Sequence, residues 1–433
     1  MRKHLSFSIS SPSILKDNLL EWSKTYDKVA WLDSNEHVEN YGSYDAILAI
    51  SRQTDRFAKI IKSTDEAHEF IGKKQDWLFG YFSYDLKNEL EDLVSNNFDG
   101  LGFPEIHFFQ PSKIIQVKGN KINFLYLEDC AGEIENDYSQ IEKLMHSESE
   151  KGDPSQSVHI KMRIHKDAYF EKANKFLEHI YRGDIYEANF CQEFYAENTC
   201  INPLTTYKNL NAISKPPFAT FFRDDENYLL CASPERYLKK LDETIISQPI
   251  KGTAQRGTNK TEDEQFRILL GNDEKERAEN IMITDLVRND LSKSALKGSV
   301  QVKELCEVHT FKQVHQMIST VVSTVPKDKN PFELIKETFP MGSMTGAPKI
   351  SAMKIIEELE ETKRGLYSGA VGYFEPNGNF DFNVVIRSIL YNAKLKYVSF
   401  SVGSAITAKS DPEKEYQECL LKAKAMRSVL EQS

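Results

Sequence analysis

Two glutamate doublets are the first residues whose type and spacing could do chemistry. Glu276 and Glu279 stand three apart in Asp273–Leu291, which reads as a helix, and Glu415 and Glu418 repeat the spacing near the C-terminus. That spacing puts each pair on one helix face. If the two faces met, four carboxylates would repel one another, and a hard cation such as magnesium would resolve the repulsion. A solvated helix face has the same pattern. A second constellation is PMGSMTGAPK, Pro340 to Lys349, at the start of a helix. Gly342 and Gly346 let backbone N–H groups approach an anion, and the helix N-terminus favours negative charge. The glycine and lysine offsets are not those of a P-loop, which points to an anion other than a nucleotide phosphate, such as a carboxylate. Third, Glu235 follows one strand candidate in SPERY, and Lys251 ends another in QPIKGT. An acid and a lysine on strand ends are rigidly held, which suits proton transfer or nucleophilic attack, and a surface ion pair would use the same types. Fourth, Arg387 lies in Phe380–Tyr391, opposite Phe382, Val384 and Ile386 and on one face with Asp381 and Asn383. Arginine there can bind a carboxylate bidentately.

The elements that must position these residues are punctuated in the sequence. Tyr169–Tyr181 has helical apolar spacing and stops at Gly183. Tyr228–Ala232 and Tyr237–Leu241 read as strands, as do Trp77–Tyr84 and Lys121–Leu127 in the less patterned first third. Pro348–Lys363 reads as a helix with Pro in its first turn and Gly365 just past its end. Ser368–Phe374, the turn EPNGN and Phe380–Tyr391 alternate like a hairpin, with Lys396–Ile406 as its third strand. Asp411 and Pro412 open a last helix, with Tyr416, Leu420, Ala423 and Leu430 on one face. Strands following strands, with helices grouped between them, indicate an α+β fold with antiparallel sheet. The polar stretch His146–Ser157 reads as a linker or long exposed loop, dividing an N-terminal region, 1–150, from a catalytic domain, 158–433.

Composition narrows the class. With 55 Lys and Arg against 65 Asp and Glu, the chain of 433 residues carries a net charge of −10. That argues against nucleic acid as the main partner while leaving room for a local basic pocket. Six scattered cysteines form no CxxC pair, and neither a signal peptide nor an apolar run long enough for a membrane span is found. A reducing cytoplasm is the expected compartment.

Taken in order, the motifs resemble those of the chorismate-utilising enzymes: anthranilate synthase component I, aminodeoxychorismate synthase component I, and the isochorismate and salicylate synthases. The resemblance is carried by GDIYEANFCQ (Gly183–Gln192), SPERY (Ser233–Tyr237), PIKGTAQRG (Pro249–Gly257), ERAENIMITDLVRNDL (Glu276–Leu291), GSMTGAPK (Gly342–Lys349), SGAVGYF (Ser368–Phe374), the strand through Arg387, and VGSAITAKSDPEKEYQE (Val402–Glu418). It covers roughly Ile160 to Leu430. It implies a large antiparallel β-sandwich flanked by helices. In the N-terminal part, WLDSN (Trp31–Asn35) and SKPPFATFF (Ser214–Phe222) resemble segments that form a tryptophan pocket, which places Ser34, Pro217 and Phe218 around one.

Residue by residue, the resemblance implies a nucleophile, Lys251, and a general acid, Glu235, that protonates a departing 4-hydroxyl. Magnesium would be bound by Glu279 and Glu418, backed by Glu276 and Glu415. The magnesium and the GSMTGAPK loop, with Ser343, Gly346 and Ala347, would hold the ring carboxylate and the region of the 4-hydroxyl. Tyr367, Arg387 and the backbone at Gly403 would hold the enolpyruvyl carboxylate, and Lys409 would also meet substrate. Within the family the discriminator is Lys251. Anthranilate and isochorismate synthases usually carry alanine there, whereas the aminodeoxychorismate synthases carry lysine. That branch aminates chorismate to 4-amino-4-deoxychorismate on the route to 4-aminobenzoate and folate. No glutaminase domain is found in the chain, so ammonia is expected from a separate glutamine amidotransferase subunit or from solution. The lysine attacks only when neutral, and burial is expected to lower its pKa. One position departs from the family: Gln316, in VHQMIS, stands where histidine is usual, with His315 expected to point elsewhere. Two alternatives remain at this stage, anthranilate synthase component I and a non-catalytic amino-acid-binding relative.

Overall fold

The computed structural model describes residues 2–37, 41–55, 61, 63–73, 76–144, 158–312 and 314–431. The linker expected at His146–Ser157 lies outside the described residues. Strand alternation explains the layering. In Ala46–Ser51, Ala46, Leu48 and Ile50 pack into one apolar cluster, while Ile47 and Ala49 pack into another. Asn227–Ser233 divides in the same way, with Leu230 and Ala232 on one side and Leu229 and Cys231 on the other. Successive side chains of a strand point to opposite faces, so both faces of this sheet are covered. One face carries helices, among them Lys166–Arg182, Pro203–Ser214 and Pro412–Glu431. The other packs on a second sheet, where Phe222 meets Tyr81, His107 and Phe109. The result is an α+β sandwich of a twelve-stranded and a nine-stranded sheet whose strand pairs are antiparallel. Among the described residues, no helix is long and apolar enough to cross a membrane.

Both sheets draw strands from both ends of the chain. In the large sheet, Lys28–Asp33 pairs with Phe218–Asp224, joining five N-terminal strands to the rest. In the small sheet, Leu78–Phe82 pairs with Ala370–Phe374.

Most expected elements form where their spacing places them. Gly183 ends its helix in the left-handed conformation, and Asp411 accepts hydrogen bonds from the Glu413 and Lys414 amides at the start of the last helix. Two expectations need correction. The helix expected over Pro348–Lys363 is Lys349–Leu359, and the chain is extended at Glu360. There the Glu360 carboxylate is engaged by Arg364 and the Cys191 amide, so the side chain serves a tertiary network instead of a fourth helical turn. The strand expected over Phe380–Tyr391 is two strands, Phe380–Val384 in the small sheet and Ser388–Asn392 in the large one. The chain crosses between sheets at Val385–Arg387, and Arg387 has φ +53, a left-handed conformation uncommon for a residue with a Cβ. Arg387 therefore does not share a face with Asp381 and Asn383. Asp381 instead binds Arg236 and Lys239.

Candidate active site

Two neighbouring crossovers between the sheets bring the acid and the arginine to one place. Glu235 lies between Asn227–Ser233 of the large sheet and Arg236–Leu241 of the small one, and Arg387 lies in the other crossover. Backbone hydrogen bonds tie the two together: the Val384 amide donates to the Glu235 carbonyl at 3.0 Å, and the Ala232 amide to the Arg387 carbonyl at 3.2 Å. Burial raises the Glu235 pKa to about 7, opposed by the adjacent Ser343 hydroxyl and the charge of Lys251. A carboxyl tuned to that range can give up a proton near neutral pH. Ser343 Oγ is buried beside the Glu235 carboxyl.

Lys251 is aimed by a β-bulge. The register between Ile250–Gln255 and Val314–Thr324 shifts between Ile250 and Thr253, and Gly252 has φ +90. A Cβ on Gly252 would stand 3.1 Å from Glu276 Oε2, so the bulge needs glycine both for its backbone and for the close approach of the Glu276 helix. Lys251 Nζ donates to Glu187 Oε1 at 3.0 Å. Burial acts to lower the Lys251 pKa, but the Glu187 and Glu279 carboxylates outweigh it and hold the pKa above the ordinary lysine value. Burial does act to lower the pKa, as expected, but the surrounding carboxylates act more strongly in the opposite direction.

The two glutamate helices do meet. Lys275 Nζ lies 3.7 Å from Glu279 Oε1 and 3.3 Å from Glu415 Oε1, bridging Glu274–Ser292 and Pro412–Glu431. Glu276 and Glu418 are close enough for the Glu418 charge to raise the Glu276 pKa, to which burial contributes most. Glu279 is pushed to about 7, first by burial and then by its carboxylate neighbours Glu187 and Glu276, against the pull of Lys251 and Lys275. Glu418 binds Lys422 at 2.6 Å. Among the described residues, no three His, Cys, Asp or Glu side chains are drawn to a single point that could hold a metal ion. The donor set nevertheless fits a hard cation: Glu279 Oε1 is buried and accepts no hydrogen bond, and its carboxylate neighbours oppose its ionisation.

The remaining expected residues surround this centre. Gly346 and Ala347 pair with Ala188 and Glu187 as a short strand, and a Cβ on Gly346 would lie 2.1 Å from the Glu187 carbonyl oxygen. The Tyr367 hydroxyl faces Cys191 Sγ at 3.8 Å. Gly403 pairs with Cys191, its carbonyl accepts from Lys422, and a Cβ there would meet Cys191 Sγ at 2.6 Å. The Arg387 guanidinium makes no ion pair or hydrogen bond to the described residues; burial lowers its pKa, against the charges of Tyr367 and Glu418 nearby. It lines a pocket of about 210 Å³ with Gln316, Thr253 and Pro217. His315 points away and bonds Thr310 and Asp263, as its place in the strand requires. Lys409 is the exception among the expected residues: it is exposed in the turn after Tyr397–Thr407 and makes no hydrogen bond or ion pair to the described residues. Ser34, Pro217 and Phe218 line a separate cavity of about 520 Å³, with Lys16, Asp33 and Arg236.

Sequence reasoning missed two participants. Glu187 was visible only as one of two acids in the strand Glu187–Ala196. Arg364 binds Glu360 through two hydrogen bonds and donates to the carbonyls of Met344 and Asn189, locking the Ser343 turn to the Glu187 strand.

The chain and its fold resemble known proteins. The chain belongs to the chorismate binding enzyme family, whose sequence pattern matches residues 26–428. It is 43% identical over 272 residues to a protein from Oryza sativa subsp. japonica named "Probable aminodeoxychorismate synthase, chloroplastic", a match covering 62% of this chain and 30% of that one. It is 33% identical over 412 residues to anthranilate synthase component 1 of Saccharolobus solfataricus, covering 95% and 91% of the two chains. The crystal structure of anthranilate synthase component I from Streptococcus pneumoniae TIGR4 superposes with a TM-score of 0.74 at 26% identity, covering 98% of this chain and 92% of that one.

Proposed function

We propose that this chain aminates chorismate to 4-amino-4-deoxychorismate, for 4-aminobenzoate and folate synthesis, using ammonia from a separate glutamine amidotransferase. The observation that carries this reading is a buried carboxyl, Glu235, and a lysine, Lys251, close enough in one site for each charge to act on the other. In this reading Lys251 attacks C2 of the ring while Glu235 protonates the departing 4-hydroxyl. Ammonia then adds at C4 and expels the lysine, and the enolpyruvyl group stays in place. Arg387 supports the scheme as a cation without a partner among the described residues, suited to the enolpyruvyl carboxylate, with Tyr367 and Gly403 beside it. Ser343, Gly346 and Ala347 would face the ring carboxylate and the leaving hydroxyl. Glu279 and Glu418, backed by Glu276 and Glu415, would hold magnesium, which would supply positive charge for the ring carboxylate. The Ser34 cavity would take tryptophan.

Incubation with chorismate, magnesium and ammonium, followed by mass analysis, tests the proposal. 4-Amino-4-deoxychorismate is the expected product, with little pyruvate released. Lys251→Ala should lose most of it, and excess chelator should abolish turnover until magnesium is restored. Anthranilate with stoichiometric pyruvate would instead identify an anthranilate synthase, and no turnover at all would identify a non-catalytic relative.

A further inference from the structure

We infer that Glu187 is a further catalytic residue, the base that takes the proton from Lys251 and so frees its amine to attack. This rests on the covalent reading proposed above. Lys251 Nζ is the atom that must change, and among the described residues Glu187 is the only carboxylate within 4.0 Å of it. Its Oε1 lies 3.0 Å from Nζ, and its Oε2 is buried and hydrogen-bonded to nothing. One oxygen is thus in place to receive the proton, and the other is not committed elsewhere.

The carboxylate is also held still. Glu187 is 1% exposed and sits between two strands, paired with Thr407 on one side and Ala347 on the other. On the Ala347 side, the Tyr186 amide donates to the Ala347 carbonyl at 2.7 Å and the Asn189 amide to the Thr345 carbonyl at 2.8 Å. The other acids that face Lys251 are Glu235 from the crossover, Glu276 and Glu279 from one glutamate helix, and Glu418 from the other. Glu235 must deliver a proton in the same step, so it cannot also accept one. Glu276, Glu279 and Glu418 are the proposed magnesium set. Glu187 itself faces Lys251 and Glu279.

The step balances. The Lys251 ammonium gives its proton to the Glu187 carboxylate, and the neutral amine forms a bond to C2. The two ring double bonds shift toward C4, and the 4-hydroxyl leaves as water with the proton of Glu235. When ammonia bonds to C4, the double bonds shift back and the C2–N bond breaks. The released amine recovers its proton from Glu187, and the new C4 ammonium returns one to Glu235.

Glu187→Gln keeps the shape of the side chain but cannot accept a proton near neutral pH. The full chain is mixed with chorismate and magnesium without ammonia, quenched at intervals, and weighed for the adduct of chorismate less water. Wild type should form the adduct on Lys251. Glu187→Gln should form it ~10²–10⁴-fold more slowly near neutral pH, the range of a lost general base. Its rate should climb with rising pH, as solvent takes over removal of the lysine proton, and its KM for chorismate should not rise. Glu187→Asp retains a carboxylate and should recover part of the rate with the wild-type pH profile, which provides a second readout if the glutamine variant folds poorly. An adduct on wild type with an equal rate and pH profile for Glu187→Gln would overturn the role of Glu187 and leave the covalent reading intact. Amination by wild type with no adduct at any time would overturn both.

Discussion

Glu235 is a carboxylic acid buried where two strands change sheets, and its proton can be followed in two ways. Burial moves its pKa from 4.5 to about 7. As a general acid it works only when protonated, so amination should fall as pH rises through about 7. Its effect on stability runs in the same direction. Between the unfolded value, about 4.3, and about 7, the folded state keeps a proton that the unfolded chain has lost, so stability declines as pH climbs through this window. By about pH 8 the cost is on the order of 3 kcal/mol. Glu235→Gln removes the ionisation: amination should drop ~10²–10⁴-fold, while the melting temperature rises above wild type at about pH 8 and converges with it near pH 4. Melting curves at the two pH values check this, and an equal gain at both would show that the gain is not due to charge. Gln316 permits a second test at this scale. It lines the Arg387 pocket, and the proposed reaction, which keeps the enolpyruvyl group, calls for no proton transfer there. Gln316→His should leave the amination rate within about tenfold, roughly 1.4 kcal/mol of barrier. Glu235, Lys251 and the four glutamates were legible in the sequence because short motifs carry them. The charge of Lys251 was not, because it depends on Glu187, a residue 64 positions away in the chain.

At the scale of elements, the site depends on close approaches that only glycine allows. The two-residue strand Gly346–Ala347 lies so near Glu187 that an added Cβ would overlap the Glu187 carbonyl at 2.1 Å and the Ala352 Cβ at 2.8 Å. Backbone cannot swing aside as a flexible side chain can. Gly346→Ala should therefore separate the strand from Glu187, lower the melting temperature, and reduce amination at least tenfold even where the fold survives. A thermal melt paired with the product assay checks this, and a variant with wild-type values in both would show that the strand can shift without consequence. The elements were the most legible level, since glycine, proline and apolar period mark their ends. The exception was Phe380–Tyr391, where the alternation of Phe382, Val384 and Ile386 continues past the point at which the chain leaves one sheet for the other. Periodicity records which side chains are apolar. It does not record a residue such as Arg387 adopting φ +53, a conformation that tertiary contacts must stabilise.

At the scale of the molecule, each sheet is closed by a pairing between distant parts of the chain. Residues 158–431 produced alone would expose the edge of Phe218–Asp224 in the large sheet and of Ala370–Phe374 in the small one. Unpaired edges of this kind recruit other chains. The fragment should be recovered mostly as aggregate, and co-production with residues 1–144 should restore soluble material and amination with ammonium salts. A soluble, cooperatively melting fragment would show that the later strands close their sheets without help.

The same pairings impose a timetable on biosynthesis. Leu78–Phe82 leaves the ribosome roughly 300 residues before Ala370–Phe374, the partner that covers its edge. At ~5–20 residues per second that is an interval of tens of seconds. Throughout it, the nascent chain displays an aromatic strand with one open side, which is the kind of surface that ribosome-associated chaperones bind. The rate of translation and the supply of those chaperones should therefore limit how much of this enzyme a cell accumulates, independently of how stable the finished sandwich is.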